Sequence, residues 1–181
     1  MKKDLDAIYK YCIVLILKIY QKNLKIILLM VLSLKDIWLP FDKKMIINTT
    51  PDKEKVKSIL KMVKEREVFI DSIELTETSS TIISENYYEI IKELGVAILL
   101  LDGKRTVGEY AHKEVIEYLR DKRIINNLEY SISDDLRIKR NYSSYEGKRI
   151  PKDYISSRKE DISKIIKKLK DFIENYNLSI V

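Results

Sequence analysis

The chain has 181 residues, 34% charged and 45% hydrophobic, which fits a soluble, helix-rich protein with one domain of ordinary size plus an appendage. Only 4 glycines and 3 prolines argue against an all-β fold with many tight turns. The single Cys12 and single His112 exclude an internal disulfide framework, a cysteine or multi-histidine metal site and the zinc-deaminase pattern. A reducing, cytoplasmic setting without a cofactor is expected.

The net charge of +6 is unevenly spread: residues 1–47 hold nine lysines against four aspartates, and the rest holds 25 basic against 24 acidic side chains. The folded part is thus nearly neutral, and nucleic acid would be held at a local site rather than by a broad basic surface.

Residues 1–47 read as an N-terminal extension. Two apolar runs, Tyr11–Leu17 and Ile26–Leu32, flank a lysine-containing middle, and each is too short to span a bilayer. Joining them would place lysines in hydrocarbon at about 2.5–3.5 kcal/mol each near its centre. The aspartates and the lack of a small-residue cleavage site argue against a secretory signal. Lys18, Lys22 and Lys25 share one helix face, which also suits an amphipathic helix against a membrane or partner. The plainer expectations, preferred here, are a poorly ordered extension or true initiation near Met45; membrane attachment is not expected. A linker, Ile47 to Asp52, follows.

Pro51 and Asp52 open a first helix with Val56, Leu60, Val63 and Ile70 on one side, ending near Glu74. Ser79, Ser80 and Thr81 offer N-caps to a second helix. There Ile83, Tyr87, Ile90, Leu94, Ala97 and Leu101 alternate in steps of four and three, the seam of a packed bundle, and Gly103 ends it. Gly95 and Ala97 allow close approach by a neighbour. The loop Lys104–Tyr110 leads to a short third helix, Ala111 to about Lys122, with Val115, Ile116 and Leu119 inward and Glu114 and Glu117 on a solvated outer side. Asn126 and Asn127 make a break before the fourth helix. A fifth runs from about Lys152 to Asn177, with Ile155, Ile162, Ile165, Ile166, Leu169, Phe172, Ile173 and Tyr176 as its apolar face and Lys164, Lys167, Lys168 and Lys170 on a solvated one. The expected class is all-α: over 52–178, an antiparallel four-helix bundle with an extra short helix across one end.

The fourth helix carries the best functional lead. Ser133 to Gly147 reads as a helix with a capping serine, two aspartates in its first turn and a glycine stop. Ile138, Tyr142 and Tyr145 make one apolar stripe; Leu128, Ile132 and Leu136 make another about 160° away that runs into Arg140 and Ser144. Arg137 and Asn141 lie between them. An arginine in line with leucines is then half-buried beside an asparagine and a tyrosine. Other chemistries lack their residues: there is no second glycine or Ser/Thr of a Walker loop after Asp102-Gly103, no G-x-S-x-G elbow, and no Glu-x-x-His of a di-iron bundle.

The run Arg140-Asn141-x-x-x-Tyr145, followed by Glu146-Gly147, resembles the HEPN domain superfamily. So do the helix ending in Leu99-Leu100-Leu101-Asp102-Gly103 and the segment Ala111 to Leu119. The resemblance covers about residues 52–178. It implies a two-fold homodimer that brings two copies of the motif into one cleft. It also implies a metal-independent endoribonuclease or toxin-type subunit acting on RNA, with a nucleotidyltransferase-type antitoxin partner. Arg140 would bind the scissile phosphate and stabilise its developing charge, and Asn141 would hold the phosphate or orient its neighbours. Tyr145 stands where the family usually has a histidine base. A phenol with an ordinary pKa near 10 is ionised at about one part in a thousand at pH 7, so it serves better as a hydrogen-bond donor, and the expected ribonuclease activity is weakened, altered or lost. Arg137, Ser144 and His112 are secondary candidates for substrate contacts, although His112, on the face of Val115 and Leu119, reads first as a packing or capping residue. The alternative is a non-catalytic dimeric module that binds a partner protein or a nucleotide through the same cleft.

Overall fold

The computed structural model describes residues 46–108 and 110–178, and the expectations for residues 1–45 lie outside these described residues. In chain order the elements are β1 (Ile46–Asn48), α1 (Lys53–Asp71), α2 (Ser80–Leu101), β2 (Lys104–Thr106), α3 (Ala111–Asp121), α4 (Asn127–Glu146), α5 (Lys152–Ser156) and α6 (Lys159–Leu178). The architecture is mostly helical with one small antiparallel sheet. None of the described helices is long and apolar enough to cross a membrane.

The second helix sets the arrangement. Of its 22 residues 14 are buried, and Ile90, Ile91, Leu94, Ile98 and Leu99 span about 180° of the helix, wider than one stripe, while Glu85, Asn86, Glu89, Lys92 and Glu93 make the opposite, polar face. So wide an apolar arc needs several neighbours to cover it, and each of the other five described helices, as well as β2, packs on α2. One contact is unusually close. A Cβ built on Gly95 would overlap Val115 Cγ1 and lie 3.2 Å from Leu119 Cδ1, so glycine is what allows α3 to lie against α2.

Several boundaries differ from the sequence expectations, each for a local reason. The segments read as a linker and a loop pair as β1 and β2, in the register Ile46↔Thr106, Ile47↔Arg105, Asn48↔Lys104. Asp52 caps α1 as expected, accepting from the Lys55 amide at 2.9 Å. Ser79 does not cap α2 through its side chain. Its hydroxyl donates to the Glu74 carbonyl at 2.6 Å and accepts from the Thr76 amide at 2.9 Å, which shapes the preceding turn. Ser80 and Thr81 instead clamp the connector between α4 and α5: Ser80 Oγ donates to the Ile150 carbonyl, and Thr81 Oγ1 accepts from the Ile150 amide at 2.9 Å.

The long last helix is two helices. Ser156 and Ser157 turn their hydroxyls back to the carbonyls of Lys152 and Asp153, at 2.9 and 2.8 Å, a contact that competes with regular helix geometry. The chain re-enters a helix at Lys159. Two lysines expected on its solvated face tie helices together: Lys168 reaches Glu129 on α4 at 2.7 Å and Lys170 reaches Glu67 on α1 at 3.0 Å. Glu114 and Glu117, also expected on a solvated face, are half-buried, and Glu117 pairs with Lys113 at 3.4 Å.

The site helix α4 starts earlier than its serine suggested. Asn126 accepts from the Glu129 amide at 2.9 Å, and the Glu129 carboxylate accepts from the Asn126 amide at 2.7 Å, a capping box. Ser133 is therefore interior and fully buried, its hydroxyl satisfied by the Glu129 carbonyl at 2.8 Å. Gly147 closes the helix at φ 64°, a left-handed conformation that costs a side-chain-bearing residue about 1–2 kcal/mol. Replacement of Gly95 by valine should lower the unfolding free energy by about 1–3 kcal/mol through overpacking between α2 and α3, read as a reduced urea midpoint; an unchanged midpoint would contradict the close approach described here.

Candidate functional site

On α4, Asp134, Arg137 and Arg140 follow one another at three-residue spacing and so share a face. On α2, Glu85, Glu89 and Lys92, in steps of four and three, also share a face, beside Tyr88. Packing of α4 on α2 sets the two charged rows side by side. Arg140 Nε lies 3.8 Å from Glu89 Oε1, with the arginine side chain 25% exposed. Glu89 also holds Lys92 in a close ion pair. One carboxylate thus serves two cations. Arg137 is occupied separately, its Nε donating to Asp134 Oδ1 at 2.7 Å. Three cations, Arg137, Arg140 and Lys92, meet three carboxylates, Glu85, Glu89 and Asp134, and Glu85 is engaged by the Ser143 hydroxyl rather than by a cation.

Tyr88 closes the floor of this cluster. It is fully buried, and its hydroxyl has no hydrogen-bond partner among the described residues. Ser84, one turn earlier on α2, has a buried hydroxyl in the same condition. Burial, then the Glu89 carboxylate, push the Tyr88 phenol well above its usual value, against the pull of Arg137 and Arg140. It stays protonated throughout the neutral range. Orphaned buried hydroxyls are uncommon and call for a partner.

The third helix supplies the last member. His112 lies in the first turn of α3 with its ring 6.3 Å from that of Tyr88, centroid to centroid, and tilted by 54°. It packs against that ring, as expected of a packing residue, yet it remains solvent-exposed. Burial of part of the ring lowers its pKa below the usual 6.5; Lys92, Arg140 and Arg137 add to the effect and Glu89 opposes it. The imidazole is therefore neutral at pH 7, with a lone pair free for a proton.

The remaining sequence candidates fall elsewhere on α4. Asn141 is half-buried and Ser144 exposed. Tyr145 is 78% exposed; five positions after Arg140, it projects about 140° away around the helix at 100° per residue. Ser143, not Ser144, faces α2, its hydroxyl donating to Glu85 and to the Arg140 carbonyl, the latter at 2.9 Å. Tyr142 is also exposed, at 43%. Residues that sequence reasoning missed are Tyr88, Glu89 and Lys92. They sit within a helix read as a core seam, and no sequence signal separates a seam-adjacent carboxylate from an ordinary solvated one.

The charged rows can hold an anion. A pair at 3.8 Å between partly exposed groups is worth about 0–1 kcal/mol, so the Arg140 guanidinium can turn from Glu89 to a ligand at little cost. A phosphate offers it a two-pronged contact that a shared carboxylate does not. A cleft of about 580 Å³ between α1, α2 and α6 is lined by four lysines and four carboxylates, and no arginine there offers the two-pronged contact. Among the described residues no group of three or more His, Cys, Asp or Glu side chains is arranged to hold a metal ion.

Because His112 is the only histidine, its C2–H resonance is unambiguous in a proton NMR titration. Replacing Arg140 by glutamine removes one of the cations that depress its pKa, so the midpoint should rise toward 6.5. A midpoint that stays put or falls would separate the two residues electrostatically.

Comparison of the chain with protein-family models, curated proteins and solved structures returned no match.

Proposed function

We propose that the protein is a HEPN-like helical bundle in which α1, α2, α4 and α6 are the four long antiparallel members, and that the α2–α3–α4 cluster binds a phosphodiester of single-stranded RNA and promotes its cleavage without metal. The observation that carries this reading is the loosely held, half-buried Arg140 guanidinium on a carboxylate that it shares with Lys92. Arg140 grips the scissile phosphate and stabilises the negative charge that grows on its oxygens, which a preorganised guanidinium in a partly dry site does well. Lys92 and Arg137 offer further cationic donors beside it, and Asn141 follows Arg140 on the helix within reach of the same strand.

The near-neutral charge outside residues 1–47 gives the reading a quantitative consequence. Grip comes from a few contacts, so affinity should fall only gently with salt. For single strands the slope of log K against log salt is about −0.7 per phosphate neutralised, and one to three contacts predict a slope of about −1 to −2. The reading also includes a second copy of the chain against α4, where Tyr142 and Tyr145 are exposed.

The decisive experiment is fluorescence anisotropy with a labelled single-stranded RNA, for the full chain and for Arg140→Ala. Loss of a charge-assisted contact costs about 1.5–3 kcal/mol, so Kd should rise about 10- to 150-fold and the salt slope should shrink. Equal binding by both proteins would sink the reading.

A further inference from the structure

We infer that His112, on a different helix from the arginine motif, is the proton acceptor for RNA cleavage at this site, a role that falls to Tyr145 on the motif's linear order alone. The inference rests on the reading of the cluster as a phosphodiester site, and it assigns the one step that Arg140 cannot perform.

Geometry separates the two candidates. Tyr145 is 78% exposed near the end of α4, and at 100° per residue it points about 140° away from Arg140. A phosphate held by Arg140 therefore lies on another side of the helix from the phenol of the same chain. His112 comes from α3, packs on the Tyr88 ring of α2, and lies within the electrostatic influence of Arg140, Arg137, Lys92 and Glu89. Its ring has no hydrogen bond to another described residue, and one side is taken by the buried Tyr88 ring at 6.3 Å. The exposed side is left for a ligand.

The chemistry balances without a metal or co-reactant. A neutral ring nitrogen of His112 takes the proton of the ribose 2′-hydroxyl, and the freed oxygen forms a bond to the adjacent phosphorus. The bond from phosphorus to the 5′-oxygen of the next nucleotide breaks, and that oxygen takes a proton from solvent water. The products are a 2′,3′-cyclic phosphate and a 5′-hydroxyl end, and the imidazolium returns its proton to solvent. Arg140 remains on the non-bridging oxygens throughout. The groups that face His112 favour this role on two counts. Burial of part of the ring, with cations from α2 and α4 adding to it, keeps the imidazole unprotonated at neutral pH, as a base must be, and the Arg140 guanidinium of α4 receives the anionic substrate. Glu89, the one carboxylate acting on the ring, is the group that Arg140 and Lys92 already engage. The substrate class is consequently RNA rather than DNA, since the nucleophile is the 2′-hydroxyl.

The test uses the full chain, a mixed-sequence single-stranded RNA with a chelator present, and the matching 2′-deoxy strand as an uncleavable binding probe. His112→Gln should bind the deoxy strand within about two-fold of the natural protein and cleave RNA at least 100-fold more slowly, the usual scale of general-base loss. For the natural protein kcat/KM should fall about ten-fold per pH unit below the His112 midpoint measured by NMR. Cleavage by His112→Gln at the natural rate, or its loss in Tyr145→Phe alone, overturns the assignment. Binding of the deoxy strand by the natural protein without cleavage of RNA overturns it as well, and leaves the phosphate site standing. Failure to bind either strand overturns both readings.

Discussion

The structure depends on one constraint: α2 is apolar over more than half of its circumference, and no single neighbour can cover so wide an arc. Ile90, Leu94, Ile98 and Ile91 span about 100° of it and Leu99 extends it to about 180°, all of them buried, so several neighbours are needed. At about 25 cal/mol per Å² of apolar surface removed from water, this enclosure is the main favourable term holding the helices together. Polar ties add position rather than bulk stability. Arg66 links α1 to Glu93 and Asn86 of α2, Ile150 is clamped by Ser80 and Thr81, and Lys168 joins α6 to the capping carboxylate of α4.

That enclosure also creates the candidate site. The few charged residues of α2 lie in narrow gaps between its neighbours, and Glu89 and Lys92 fall in the gap that faces α4. Close contact at Gly95 brings α3 down onto the same region, which carries His112 to the edge of Tyr88. No single helix holds the cluster. Two arginines, a lysine, three carboxylates, a buried phenol and an imidazole meet because three helices converge, and the arginines' effects on Tyr88 and His112 come from across helix boundaries.

The unpaired hydroxyls of Ser84 and Tyr88 fit the same picture. In a core otherwise closed by isoleucine and leucine, a buried donor without a partner destabilises by about 1–3 kcal/mol. Their place, one turn apart on α2, puts two such hydroxyls at the candidate site.

The helical class, the capping of α1, the seam of α2, the left-handed stop at Gly147 and the half-buried state of Arg140 were all legible in the sequence. Each depends on local periodicity or on the conformation of one residue. The rest required the tertiary structure. Asn126 displaced Ser133 as the cap because a capping box satisfies two amides where a lone serine satisfies one, and Ile46–Asn48 became a strand because a matching edge lies nearly sixty residues away. His112 lies 28 positions before Arg140 in the chain, and Glu89 lies 51 before it. Spacing within one helix says nothing about such distances, so the carboxylate that holds the arginine and the imidazole that joins it were decided only by which helices the enclosure of α2 brought together.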